Sequence, residues 1–144
     1  MDYQFPHDSY IPTICIHFND EVFYTSGRFG SLLEWSLKQK KVIYNWQIIH
    51  DNTIKSIAVS KYGNCLITAG SGGIIKQWDI EQRSLRKDFG HVHELDIIKI
   101  VVSDPGRCFF TVDFAGVLMQ WSLKSGSLIK NYNCFNRDII WDMK

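Results

Sequence analysis

Little in this chain of 144 residues pulls it toward a charged partner. Sixteen basic and fifteen acidic residues leave a formal charge of +1, and the charges are interspersed rather than blocked. Such a surface gives no general attraction to nucleic acid or to an anionic membrane. Long apolar runs are missing too, none approaching the roughly 20 residues of a membrane helix. The opening MDYQFPHD has an acidic residue and a proline where a secretory leader needs a basic flank and an apolar run. Cysteine is sparse: Cys15, Cys65, Cys108 and Cys134 form no C-x-x-C pair and have no histidine at metal-finger spacing, which argues against a zinc site. These absences point to a cytoplasmic chain with free thiols, with the nucleus left open as a second compartment. They nominate no membrane, metal or cofactor.

What is present is apolar and aromatic material, 45% and 14% of the chain, enough for one ordinary folded domain and rich in residue types that suit strands. It is also periodic. Trp35, Trp78 and Trp121 recur every 43 residues, as do Thr25, Thr68 and Thr111, then Gly30, Gly73 and Gly116, and Leu37, Ile80 and Leu123. His7, His50 and His93 keep the same phase, and so do Ile11, Ile54, Ile97 and Ile140, and Ile14, Ile57 and Ile100. A repeat of this length marks stacked copies of one supersecondary unit. We divide the chain into repeats near 7–49, 50–92 and 93–135, with 136–144 opening a fourth.

Each unit reads as four short strands. In the second repeat they fall near Ile54 to Ser60, Cys65 to Ala69, Ile74 to Ile80 and Leu85 to Phe89. KYGN, GSGG and EQRS lie between them with turn composition. The glycine cluster in AGSGGIIKQWDI is a turn rather than a phosphate loop: no G-x-x-x-x-G-K-[ST] pattern follows, and IIKQWDI alternates like a strand. The equivalent turns, GRFG and DFAG, share only the last glycine, which allows a tight connection at positive φ. A four-stranded sheet cannot bury both faces alone, so the units must stack, with each tryptophan filling the space between sheets and its indole N–H seeking a polar partner.

These residues resemble WD-repeat β-propellers, whose blades run roughly 40–45 residues with Trp-Asp at the end of the third strand. Gln77-Trp78-Asp79-Ile80 matches best, while Trp35 and Trp121 are followed by Ser36 and Ser122. The resemblance implies an all-β fold, a partial propeller of four-stranded antiparallel blades. It also implies hydrogen-bonded tetrads: His7, Thr25 and Trp35; His50, Thr68 and Trp78; His93, Thr111 and Trp121. The aspartate expected six residues before each tryptophan is replaced by Phe29, Gly72 and Ala115, and the glycine before the histidine by Ile49 and Val92. The tetrads are therefore expected to be incomplete, with stability leaning on apolar packing. Propellers have about 4–8 blades, so the chain is expected to be a piece of a larger ring or to need another chain.

No enzyme pattern stands out. Asp88-Phe89-Gly90 spells a kinase magnesium motif without its companions and reads as the end of a fourth strand. Cys65 and Cys108 hold one repeat position and read as packed thiols, and Lys38-Gln39-Lys40-Lys41 as a solvated turn. The histidines, one per blade, read as structural. The resemblance implies a non-enzymatic scaffold that binds a partner protein or peptide through one propeller face. Arg28, Phe29 and Phe114 are candidate contacts, as are Asp8, Asp51 and Glu94. An RNA- or nucleotide-binding propeller, or the propeller part of a larger enzyme, is the alternative.

Overall fold

The computed structural model describes residue 7 and residues 10–132. Asp8, Cys134, Ile140 and the segment 136–144, expected to open a fourth repeat, lie outside the described residues. The first sheet holds β1 (Ile14–Ile16), β2 (Val22–Ser26), β3 (Ser31–Ser36) and β4 (Lys41–Ile48). The second holds β5 (Ile54–Ser60), β6 (Cys65–Gly70), β7 (Ile74–Asp79) and β8 (Ser84–His91). The third holds β9 (Ile97–Ser103), β10 (Cys108–Asp113), β11 (Leu118–Ser122) and β12 (Leu128–Asn131). Each is an antiparallel meander in chain order.

Local sequence explains these elements. IKSIAVS and IIKIVVS are rich in β-branched residues, which pack well on a pleated surface. The second-repeat strands fall within one residue of where the alternation puts them, except that β8 runs past Phe89 to His91. Its pairing with β7 shifts register at Ile75/Lys76 and Gln77/Trp78. With Gly90 at φ 70°, these bulges let the strand bend and continue. The AGSGG segment is the connection expected, a single 3-10 turn at Ser71–Gly73 with Gly72 at φ 77°.

The sheets pack face to face. Contacts between sheets concentrate on β1, β5, β9 and the second strands, whereas β4, β8 and β12 are mostly exposed. Between the first and second sheets Tyr24, Leu32, Trp46, Ile54, Leu66 and Trp78 form one core, with Trp46 edge-on to Trp78 at 6.0 Å. Between the second and third, Ile67, Ile75, Ile97, Phe109 and Trp121 form another. There Phe89 stands edge-on to both Phe109 and Trp121, at 5.9 and 5.6 Å. Trp78 and Trp121 thus each face the preceding sheet, where about 25 cal/mol per Å² of buried apolar area favours stacking. Polar ties cross the same junctions: the Ser26 hydroxyl donates to the Ile54 carbonyl (3.0 Å) and Ile100 N–H to Ser56 Oγ (2.9 Å).

Candidate docking face and the histidine networks beneath it

The repeated histidine, threonine and tryptophan meet in every sheet. The indole N–H of Trp35, Trp78 and Trp121 donates to Thr25, Thr68 and Thr111 Oγ1 at 2.7, 2.9 and 2.9 Å. The same hydroxyls lie 2.8, 2.7 and 2.8 Å from Nε2 of His7, His50 and His93. An indole can only donate, so each threonine oxygen accepts from tryptophan and still has its own proton available for the imidazole nitrogen. Gly30, Gly73 and Gly116 turn at φ 80°, 69° and 83°. A Cβ on Gly30 or Gly73 would overlap the carbonyl of His50 or His93, respectively. Glycine is thus what lets the first two of these turns press against the histidine of the next sheet.

The fourth member differs from sheet to sheet, and here the expectation from sequence needs correcting. The third network is complete: Asp113, eight residues before Trp121 rather than six, has Oδ2 2.9 Å from His93 Nδ1. Its Oδ1 accepts the N–H groups of Ala115 (2.9 Å) and Val117 (3.0 Å). Asp113 and the His93 side chain are essentially buried. In the first sheet Ser31 Oγ takes the place, 2.9 Å from His7 Nδ1. In the second, Thr68 alone among the described residues hydrogen-bonds the His50 side chain. Burial, with the nearby Lys76 ammonium adding to it, pushes the His50 imidazole down to about 4. An aspartate at the strand end before a turn is the signal that could have found Asp113.

Above these networks, loops from all three sheets join into one rim. The Thr53 hydroxyl donates to the Arg28 carbonyl (2.6 Å) and Ser71 N–H to the Thr53 carbonyl (3.0 Å). Gly72 N–H then donates to Asp96 Oδ1 (2.8 Å) and Phe114 N–H to the Asp96 carbonyl (3.0 Å). The Lys55 ammonium sits 2.8 Å from Asp96 Oδ2, and this bond, with that from Gly72, holds the Asp96 carboxyl below its ordinary range. The structure therefore brings Arg28, Phe29, Asp51, Glu94 and Phe114 to the same end of the sheets. Arg28 and Phe29 share the β2–β3 turn, the guanidinium 5.5 Å from the ring centre. Phe29 and Phe114 are 55% and 45% exposed. A groove of about 380 Å³ is lined by Lys55, Leu95, Asp96 and Phe114. Leu95, Lys55 and Asp96 escaped the sequence because one exposed residue among many carries no periodic mark.

The remaining residues are accounted for locally. Asp79 accepts Gln82 N–H (2.8 Å) and the Arg86 guanidinium (2.9 Å), which together hold its carboxyl low. Cys65 and Cys108 are buried and accept from the side-chain amides of Gln77 and Gln120. Burial pushes the Cys65 thiol up, which works against a reactive thiolate. Phe89 of Asp88-Phe89-Gly90 belongs to the core beside Trp121.

No family model and no curated protein matches the chain. Solved structures do. The RRP9 WD40 repeats superpose with a TM-score of 0.80 and U3-55K with 0.79, each at 13% identity over 87% of this chain. The chain spans 39% of each of those structures. With this likeness and three four-stranded antiparallel meanders stacked face to face, the chain has the fold of WD40-repeat β-propeller blades, in a ring not closed among the described residues.

Proposed function

We propose that the chain is a non-enzymatic platform for protein assembly, working in the cytoplasm and presenting the loop rim above its histidine networks to a partner protein or peptide. One observation carries this reading: hydrogen bonds from Arg28 through Thr53, Ser71, Gly72 and Asp96 to Phe114 fix loops of three sheets as one surface. A surface ordered before binding loses less conformational freedom when a partner arrives. It displays arginine and phenylalanine, residue types suited to binding hot spots, beside the exposed acids Asp51 and Glu94.

Quantitative affinity capture from cells tests it, comparing the chain with Phe29→Ala and Phe114→Ala. Phe18→Ala serves as control, since Phe18 is 42% exposed in the β1–β2 turn at the other end of the sheets. Proteins lost with both rim variants and retained with the control support the reading. Identical capture by all four sinks it. Association that instead tracks nucleic acid, weakening steeply with salt, would move the function to an RNA-binding propeller.

A further inference from the structure

The two outer sheet faces carry residues at the repeat positions that meet between the second and third sheets. In the third sheet Phe109 and Trp121 stack at 6.3 Å and 15°, and Phe89 of the second sheet caps the pair edge-on. The first sheet repeats that platform: Phe23 and Trp35 stack at 5.7 Å and 5°. Its surroundings are open, however. Phe109 and Leu123 are 0% and 2% exposed, whereas Leu37, at the repeat position of Leu123, is 42% exposed. A cavity of about 280 Å³ lies over Phe23, Trp35, Ser36, Leu37 and Lys40.

The surface that would fill it exists on the same chain. The second sheet covers the Phe109/Trp121 platform with Ile67, Ile75 and Phe89, and places the Lys87 ammonium 4.7 Å from the Phe89 ring centre. One period on, the third sheet carries Phe110, Leu118 and Tyr132, with the Lys130 ammonium 4.8 Å from the Tyr132 ring centre. Tyr132 is 39% exposed. The polar contact repeats as well: Gln77 donates across its junction to the Leu123 carbonyl at 3.1 Å, and Gln120 with Leu37 stands in the same repeat relation.

We propose that copies of this chain associate head to tail, the outer face of the third sheet of one copy covering the Phe23/Trp35 face of the next. The occupant is a second copy because the repeat supplies each covering residue at the position where the second sheet supplies it to the third. The contact is heterologous, so it builds a ring if the rotation closes and a filament if it does not.

Sedimentation equilibrium of the full chain, from about 1 µM to about 1 mM, is the test, with circular dichroism as the check on folding. The wild type should form dimers or larger species. Leu37→Glu on one face and Tyr132→Glu on the other should each weaken self-association by about 100-fold. Mixing the two variants should restore a 1:1 complex, since each keeps one intact face and the two intact faces are complementary. A folded wild type that stays monomeric throughout would overturn the proposal. So would association that both variants leave intact, or a mixture that fails to recombine.

Discussion

The second and third sheets carry the same histidine, threonine and tryptophan, but only the third gives its histidine a carboxylate. Asp113 sits at the end of β10, where its side chain reaches both His93 and two turn N–H groups. The second sheet has Gly70 at that repeat position. A Cβ on Gly70 would overlap the Thr53 carbonyl, so no aspartate can be accommodated there without moving the entering loop. The turn above the second sheet is tied from outside instead, with Gly72 N–H on Asp96 and Ser71 N–H on the Thr53 carbonyl. The comparison teaches that the threonine and tryptophan hold the network, while the fourth partner follows how closely the neighbouring loop approaches.

The largest expected effect separates covered from open tryptophans. Trp78→Ala, emptying the core between the first two sheets, should cost about 4 kcal/mol in urea unfolding, and Trp35→Ala roughly half of that. Equal losses would show that the Phe23/Trp35 face is covered in solution. Next comes the carboxylate. Asp113→Ala strips His93 and two N–H groups of their acceptor in a buried place and should lower stability by about 3 kcal/mol. Gly70→Asp should not stabilise the second sheet but should destabilise it too, which chemical denaturation will show.

Acid probes the other side of the comparison. His50 titrates near 4 in the fold against 6.5 for the free group. A depressed histidine favours the folded state wherever the imidazole is neutral. That stabilisation is therefore whole above pH 6.5 and is lost as the pH falls from 6.5 toward 4. Between pH 7 and 5 the loss should be about 2 kcal/mol, and His50→Asn should remove it. A variant as acid-sensitive as the wild type would show that another group sets this limb. The smallest effect belongs to the rim: Lys55→Ala breaks a partly exposed ion pair and should change stability by less than about 1 kcal/mol.

Much of the fold was legible because alternation and turn chemistry act within a few residues. The strands of the second repeat, the glycine turn and the covered faces of Trp78 and Trp121 all follow from local pattern. The site was legible less evenly. Arg28, Phe29, Asp51, Glu94 and Phe114 were nominated from family resemblance and lie at one end of the sheets. Leu95, Lys55 and Asp96, which complete the groove beside Phe114, were not nominated. Asp113 lies off the family pattern, which puts its aspartate at Ala115, two residues on.

The sequence by itself determined a 43-residue unit, its strands, and the recurrence of histidine, threonine and tryptophan, since each depends on side-chain period and turn composition along the chain. Only the tertiary structure decided which group stands against each histidine and which loops share a rim. A hydrogen bond needs its partners about 3 Å apart. For Ser31, Asp113 and the Lys55–Asp96 pair, that distance is set by how sheets and loops approach in space, which no spacing along the chain records.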